Sequence, residues 1–259
     1  MYMLYTRSRR EIDMSTAPAR VAVVTGGSRG IGRQVVERLA ADGHAVVVNY
    51  ASNDTEGRAA AKEVSAAGGR SLAVRADVSD PAAVSALFDT AEEAFGGVDV
   101  VVHAAGIMGP PVPVADLDFE TLDRILSVNV RGTFAVAQQA ARRLRRGGAL
   151  ITFSTSVVGL AFPGYGAYVA SKSAVEGLTL ILARELRGRD VTVNTVAPGP
   201  TATALFLDGK DEETIAKLAA QPPLERLGQP SDIAEAVSFL AGPARWVNGQ
   251  VLRVNGGII

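Results

Sequence analysis

Residues 21–32 read Val-Ala-Val-Val-Thr-Gly-Gly-Ser-Arg-Gly-Ile-Gly, and this stretch determines the predicted fold. The apolar, β-branched run at its start predicts a buried strand, and a helical pattern follows from about Ile31. Glycines between a strand and a helix allow the backbone to approach a pyrophosphate, and the helix N-terminus supplies unpaired N–H groups. A tight turn without a ligand is the alternative, but the strand before and the helix after favour a phosphate-binding loop.

Apolar runs and helical patterns alternate through the rest of the chain. Because parallel strands need long crossovers and these runs are apolar at every position, they predict a parallel sheet buried on both faces. We therefore predict an α/β fold, a single Rossmann-type doubly wound domain over residues 20–259 with a seven-stranded parallel sheet and helices on both faces. The predicted strands are 21–25, 45–49, 71–75, 98–102, 148–154, 191–196 and 250–254, and the predicted helices are about 31–41, 54–67, 81–95, 119–146, 165–187 and 231–240.

The composition excludes several classes of function. The formal net charge of -1 provides no basic field for nucleic acid, and no apolar run approaches the roughly 18 residues of a membrane span. The chain has no cysteine and 2 His, so disulfides, thiolate metal sites and a typical histidine metal site are not expected. We expect no metal, no nucleic-acid partner, no membrane partner and a cytoplasmic location.

Residues 1–19 precede the ordered pattern. They contain Arg7, Arg9 and Arg10 but no apolar segment typical of a secretory signal. We predict a disordered N-terminal tail, with a basic interaction arm as the alternative.

Two stretches with Pro and Gly, residues 106–114 and 198–223, interrupt the alternation of strands and helices. Both follow the carboxyl ends of predicted strands, where open α/β sheets bind ligands. We therefore expect them to form the walls of a substrate site. The apolar pocket lining is predicted from Met108, Phe162, Tyr165, Leu205 and Phe206.

Tyr168 and Lys172 are four residues apart, so on a helix they lie on one face. A cation close to a phenol lowers its pKa from the usual value of roughly 10, and such a phenol exchanges a proton near neutral pH. Alone, the pair is a weak motif. Tyr165 has Val169 at the same spacing and lacks a cation.

The end of the second strand predicts the choice of nucleotide. An acidic residue there would bind the adenosine ribose 2′-OH and repel a 2′-phosphate, but residues 49–53 read Asn-Tyr-Ala-Ser-Asn and the first acid is Asp54. Neutral donors together with Arg29 predict that NADP(H) is preferred and that NAD(H) is a less favoured cofactor. A solvated Arg29 without a ligand is the alternative.

Seven motifs follow one another along the chain: Thr25-Gly-x-x-x-Gly-Ile-Gly32, Asp77-Val78, His103-Ala-Ala-Gly106, Asn129, Ser156, Tyr168-x-x-x-Lys172 and Pro198-Gly199. In this order they resemble the motifs of the short-chain dehydrogenase/reductase family. The resemblance covers about residues 20–259 and is strongest to the branch similar to 3-oxoacyl-(acyl carrier protein) reductase. It implies an NADPH-dependent carbonyl reductase, reversible as an alcohol dehydrogenase, and the alternative is an NADP(H)-binding sensor without turnover.

The resemblance implies a role for four catalytic residues. Tyr168 would be the acid and base, and Lys172 would lower its pKa and bind the nicotinamide ribose. Ser156 would bind the substrate oxygen, with Ser154 as its rival, and Asn129 would hold a water that links Lys172 to solvent.

It also implies a set of cofactor-binding residues. His103 departs from the family pattern, which usually has Asn there, and we assign it no catalytic role. The implied residues are Gly26, Ser28, Arg29, Gly30, Ile31, Gly32, Asn49, Tyr50, Ala51, Ser52, Asp77, Val78, Ala104, Ala105, Gly106, Tyr168, Lys172, Pro198, Gly199, Thr201 and Thr203.

Two kinds of partner follow from the same resemblance. The family usually forms tetramers through its two longest helices, and small residues such as Ala135 and Ala137, with Ala140 and Ala141, would allow a close approach of helices. Packing of these alanines within the chain is the alternative. The run Arg142-Arg-Leu-Arg-Arg146 is either a solvated helix end or a docking patch for an acyl carrier protein.

Overall fold

Seven parallel strands form the centre of the structure, a computed structural model that describes residues 19–259. The prediction of a disordered tail therefore lies outside the described residues, apart from Ala19. The order of the strands in the sheet is β3-β2-β1-β4-β5-β6-β7, and all neighbours are parallel. The strands are β1 Val21–Thr25, β2 Ala45–Tyr50, β3 Ser71–Arg75, β4 Val98–His103, β5 Leu144–Phe153, β6 Thr192–Pro198 and β7 Val251–Val254.

Helices cover both faces of this sheet, as predicted. Their starts carry the expected signals: Asn53 and Asp80 accept hydrogen bonds from the first turns of their helices, and Pro81 occupies a first-turn position. The helices are α1 Gly30–Ala41, α2 Asp54–Ala66, α3 Pro81–Phe95, α4 Phe119–Leu126, α5 Gly132–Arg143, α6 Val157–Leu160, α7 Gly166–Glu185, α8 Ala204–Leu207, α9 Glu212–Ala219 and α10 Pro230–Ala241, with a π-helical segment Ser127–Arg131 between α4 and α5.

Each face of the sheet has its own core. Along β2, Val46 and Val48 pack towards α1, α2 and α10, whereas Val47 packs towards α3, α5 and α7. All three are fully buried, and burial of a valine side chain contributes about 1.5–3 kcal/mol. This burial on both sides explains why the strand sequences are apolar at every position rather than at every second one.

One predicted element was wrong. The predicted helix at 119–146 is divided by the π-helical segment and ends at α5, and β5 begins at Leu144 rather than at Gly148. Leu144 pairs with Val98 of β4, and the Arg145 side chain bonds Asp99. Pairing with β4 therefore overrides the local helical pattern, which a single sequence segment does not reveal.

The carboxyl ends of all seven strands lie at one edge of the sheet, which we call the carboxyl edge. The chain leaves β1 towards β2 on one side and β4 lies on the other, so the order of the strands reverses there. Open α/β sheets bind ligands in the crevice at such a point. No helix within residues 19–259 is long and apolar enough to cross a membrane.

Candidate active site

The structure brings the sequence-predicted site residues together at the carboxyl edge. Each predicted motif lies at the end of a different strand or in the loop that follows it, although the motifs are spread over about 180 residues of the chain. The segments are 26–32 after β1, 49–52 at the end of β2, 77–78 after β3, 104–106 after β4, 154–156 after β5 and 198–203 at the end of β6, with Tyr168 and Lys172 on α7 and Asn129 between α4 and α5.

The loop after β1 is packed too tightly for side chains at its glycines. A Cβ on Gly32 would lie 2.2 Å from the carbonyl oxygen of Gly26, so the first turn of α1 rests directly on the loop. Gly30 faces Thr203 of the loop after β6, and Arg29 before it is exposed. This backbone at a helix N-terminus is the arrangement that holds a pyrophosphate.

The side chain of Asn49 does not fit its predicted part in nucleotide binding. It is buried at 1% exposure, and its amide donates to the carbonyls of Val74 and Ala76 at 3.2 and 3.0 Å. The Tyr50 hydroxyl is also committed, because it donates to Asp54. The amide of Asn49 is thus used to join β2 to the end of β3 and does not point to a ligand.

Arg75 is a candidate nucleotide-binding residue that the sequence reasoning missed. It pairs in register with Tyr50, and its Nε donates to the carbonyl of Ala51 at 3.0 Å. Its exposed guanidinium is therefore held beside the loop of Ala51 and Ser52, where the 2′-phosphate was predicted. Only the register of β2 against β3 could have revealed this position, because Arg75 and Ala51 are 24 residues apart.

The remaining loops of the predicted nucleotide site are held by the backbone. The N–H groups of Ala104 and Ala105 bond the carbonyl and hydroxyl oxygens of Thr25, and the N–H of Gly199 bonds Val254 of β7. Asp77, which was predicted to reach the adenine, is exposed and accepts hydrogen bonds from the backbone and hydroxyl of Ser79, whereas Val78 is buried beneath Gly132.

Tyr168 and Lys172 lie one turn apart on α7 and face the same cavity. The ammonium of Lys172 is 5.9 Å from the centre of the Tyr168 ring and donates to the carbonyl of Phe153 at 3.0 Å. Tyr165 is stacked obliquely against Phe162, with 6.3 Å between ring centres. Only the phenol of Tyr168 therefore has the cation that the spacing predicts.

The pKa values of this pair differ from the sequence-based prediction. Burial raises the pKa of Tyr168 to about 12, and the hydrogen-bonded hydroxyl of Thr155 acts in the opposite direction. Burial also lowers the pKa of Lys172 to about 8. Burial therefore outweighs any attraction of the cation nearly 6 Å away, and the fall of the Tyr168 pKa below 10 that was predicted for Lys172 together with an oxidised nicotinamide stays a prediction.

Three consecutive hydroxyl groups after β5 line the cavity, and each has a different partner. Ser154 donates to Glu176 at 2.5 Å, and the hydroxyl of Thr155 lies close enough to the phenol of Tyr168 to lower its pKa. Ser156 accepts from the Asn255 amide at 3.0 Å and lies 3.3 Å from the carbonyl of Ala197. The sequence identified the segment and did not anticipate that Thr155, between the two serines, would lie beside the phenol of Tyr168.

Asn129 is fully buried and holds the loop after β4. Its amide donates to Ile107 at 2.7 Å and to Ser171 at 3.0 Å, and its oxygen accepts from the N–H of Ile107 at 2.9 Å. A Cβ on Gly106 would lie 3.2 Å from the ammonium of Lys172. The hydrogen bonds of Asn129 therefore hold the loop after β4 close to Lys172. The binding of a water molecule by Asn129 stays a prediction.

His103 at the end of β4 is a buried residue of the sheet. Its Nδ1 is 2.8 Å from the hydroxyl of Thr25, and its Nε2 has no hydrogen-bond partner among the described residues. Burial and, secondarily, Lys172 lower its pKa to about 3, so the ring is neutral at physiological pH. We continue to assign it no catalytic role.

The cavity in front of Tyr168 has a volume of about 240 Å³. All five residues predicted as its apolar lining contribute to it, and Leu160, Lys210, Leu218 and Gln221 are additional members that the sequence reasoning did not select. Within residues 19–259 its charged lining residues are Lys172 and Lys210, and no carboxylate lines it. No cluster of three or more His, Cys, Asp or Glu in the same residues could hold a metal ion.

Comparisons with known proteins agree with this geometry. A family model described as Enoyl-(Acyl carrier protein) reductase matches residues 26–259. The NADPH-dependent aldehyde reductase-like protein, chloroplastic, of Arabidopsis thaliana is 44% identical over 254 residues, which are 93% of this chain and 94% of that protein. A 3-oxoacyl-(acyl-carrier-protein) reductase of Staphylococcus aureus is 39% identical over 240 residues, 92% of this chain and 97% of that protein.

A crystal structure shows the same fold with its cofactor. The short chain dehydrogenase from Burkholderia cenocepacia J2315 in complex with NADP is 38% identical, with a TM-score of 0.86 over 92% of this chain and 97% of that chain. Identity and coverage at this level, together with the carboxyl-edge site, establish that this chain belongs to the short-chain dehydrogenase/reductase family.

Proposed function

We propose that this protein is an NADPH-dependent reductase of aldehydes or ketones that also catalyses the reverse oxidation of alcohols. The observation that carries the proposal is the position of Tyr168 and Lys172. Both side chains line an apolar cavity that is bordered by the predicted nucleotide loops. The relatives support it, because the Arabidopsis protein is by name an NADPH-dependent aldehyde reductase-like protein and the Burkholderia structure holds NADP.

The chain's own residues perform the proton transfer. Tyr168 carries its proton throughout the physiological range, since burial raises its pKa, and it is placed to protonate the carbonyl oxygen. A hydroxyl of the 154–156 segment donates a hydrogen bond to the same oxygen as negative charge develops there. Ser156 is the predicted donor, and Thr155 is the competing one because it already contacts Tyr168.

The loops of the carboxyl edge fit NADPH. At Gly26 and Gly32 the backbone is packed so closely that side chains would not fit, and this bare backbone can approach a pyrophosphate. Arg29 and Arg75 provide cations where a 2′-phosphate would lie. When bound, NADPH supplies the hydride that reduces the carbonyl carbon. Lys172 is placed to bind its nicotinamide ribose.

A sensor that binds NADP(H) without turnover is the alternative function. It has no need of a phenol, an ammonium and hydroxyl groups that line one cavity. The test is NADPH oxidation, followed at 340 nm, against a panel of aliphatic and aromatic aldehydes and ketones. Turnover of at least one compound supports the reductase, whereas tight NADPH binding without turnover of any compound favours the sensor.

We also propose a homo-oligomer, a tetramer as in the family, that forms through the outer faces of α5 and α7. The basis differs from the sequence prediction, because Ala135, Ala137 and Ala140 are buried against the sheet within the chain. The outward residues are instead Phe134, Leu180 and Ile181, with exposures of 52%, 45% and 56%. Large apolar residues that remain half exposed are typical of interfaces.

An acyl carrier protein as the substrate's carrier stays a prediction, as does a cytoplasmic location. The arginine run at 142–146 offers little support for carrier docking, because Arg143 pairs with Asp89 and Arg145 with Asp99. The run also lies where β5 begins, at the edge of the sheet opposite the cavity. A carrier would have to dock at the carboxyl edge to deliver an acyl group to Tyr168.

A further inference from the structure

Lys210 is a cation of the cavity that the proposed reaction does not use. It lies between α8 and α9 and lines the same cavity as Tyr168. Its ammonium donates to the carbonyl of Phe206 and lies 4.8 Å from the centre of the Phe206 ring. Lysines often donate to carbonyls at a helix end in this way. Here the contact holds the ammonium at the cavity wall and uses one of its three N–H donors.

Within residues 19–259 no carboxylate pairs with Lys210, whereas Lys217 on α9 pairs with Glu213. Lys172, the other cation of the cavity, is buried and bonds the carbonyl of Phe153. Lys210 is therefore the charged group of the lining that remains available to a substrate.

The walls beside Lys210 are apolar. Phe206 contacts Lys210, and Leu205, Leu218 and the amide-bearing Gln221 line the same cavity. An ammonium beside such a surface attracts an oxyanion more strongly than it does in open water, because the local dielectric constant is lower and the hydrogen bond is charge-assisted.

We propose that Lys210 binds a carboxylate at the end of the substrate opposite the reacting carbonyl. The preferred substrates are then oxo acids with an apolar chain between the two groups. This proposal rests on the proposed reductase function, since it names the substrate class of the same site.

The experiment compares substrates that differ only in charge. Initial rates with NADPH are measured for 4-oxobutanoate and 6-oxohexanoate, for their methyl esters and for hexanal. One charge-assisted hydrogen bond corresponds to roughly a tenfold or greater difference in kcat/KM. We expect the wild type to favour the acid of the better-fitting length over its ester by about that factor, and Lys210→Met to abolish the preference while hexanal reduction persists.

Lys217→Met is the matched control, because Lys217 is exposed and ion-paired outside the cavity. It should keep the preference for the acid. The proposal is overturned if the wild type favours the esters, or if Lys210→Met keeps the preference. It is also overturned if Lys210→Met weakens NADPH binding, measured by fluorescence titration, by the same factor as it lowers kcat/KM for the acid. Lys210 would then bind the nucleotide. If the wild type reduces none of these compounds, hexanal included, the result would instead contradict the reductase function.

Discussion

At the scale of single residues, Tyr168 determines whether the proposed chemistry is possible. Tyr168→Phe removes the proton donor and leaves the nucleotide loops unchanged, so we expect kcat for carbonyl reduction to fall roughly 10²–10⁴-fold while NADPH binding survives. Tyr165→Phe is the matched control, since Tyr165 lines the same cavity and has Val169 rather than a lysine one helical turn further on; the kcat of this variant should change by less than about tenfold. Steady-state kinetics and fluorescence titration of NADPH compare the two variants. An inactive Tyr165→Phe together with an active Tyr168→Phe would show that Tyr165, not Tyr168, is the proton donor.

Lys172 allows a prediction about stability and pH. Its pKa is lowered from 10.5 to about 8 by burial, so between these values the native state binds fewer protons than the unfolded state. Stability therefore rises with pH across this window, and the cost of the buried charge, roughly 3 kcal/mol below pH 8, is relieved towards pH 10.5. The free energy of unfolding of the wild type minus that of Lys172→Met should increase by up to this amount over the window.

Urea denaturation of both proteins at several pH values between about 7 and 10.5 measures that difference. Lys62→Met is the control, because Lys62 is exposed on α2 and its replacement removes a lysine without removing a buried charge. A difference for Lys172→Met that is flat with pH would show that the ammonium is not desolvated in the native protein.

At the scale of elements, the junction of β2 and β3 combines stability with the choice of cofactor. Because an acidic residue at the end of the second strand would repel a 2′-phosphate, the sequence alone predicts that Asn49→Asp moves the preference towards NADH. In the structure Asn49 donates to the carbonyls of Val74 and Ala76, and a carboxylate cannot donate to either. We expect Asn49→Asp to destabilise the protein by about 2–5 kcal/mol in urea unfolding without creating a preference for NADH. A stable variant that prefers NADH would restore the earlier interpretation.

The preference for NADPH depends instead on the cations at this junction. We expect kcat/KM for NADPH to exceed that for NADH more than about tenfold, and Arg29→Ala and Arg75→Ala each to reduce this ratio roughly tenfold, since a charge-assisted bond contributes about 1.5–3 kcal/mol. Arg70→Ala is the control, because Arg70 is exposed and precedes β3 at the opposite edge of the sheet. Equal activity of the wild type with both nucleotides would contradict the prediction.

At the scale of the whole molecule, the exposed apolar residues of α5 and α7 predict self-association. We expect light scattering at micromolar concentration to give a mass above that of the monomer, and Phe134→Asp or Ile181→Asp to lower it, because a charge would be buried in the interface. Phe239→Asp, on α10 at the other face of the sheet, should leave this contact intact. A wild-type protein that is monomeric at these concentrations would exclude the proposed interface.

The sequence by itself determined the features that depend on local periodicity and spacing. Runs of apolar β-branched residues located all seven strands, with β5 starting four residues early, and the glycines located the loop between β1 and α1. The pairing of Tyr168 with Lys172 follows from the pitch of one helix. These predictions succeeded because the interacting residues are close in the chain.

Tertiary structure alone decided which side chains are available for chemistry. The amide of Asn49 bonds the end of β3, strand register brings Arg75 beside the loop of Ala51 and Ser52, and Thr155 lies beside the phenol of Tyr168. The pKa of Tyr168 rises because distant segments bury it, although the neighbouring lysine predicted a decrease. Burial and hydrogen-bond partners are set by elements far away in the chain, so the spacing of residues in one segment cannot determine them.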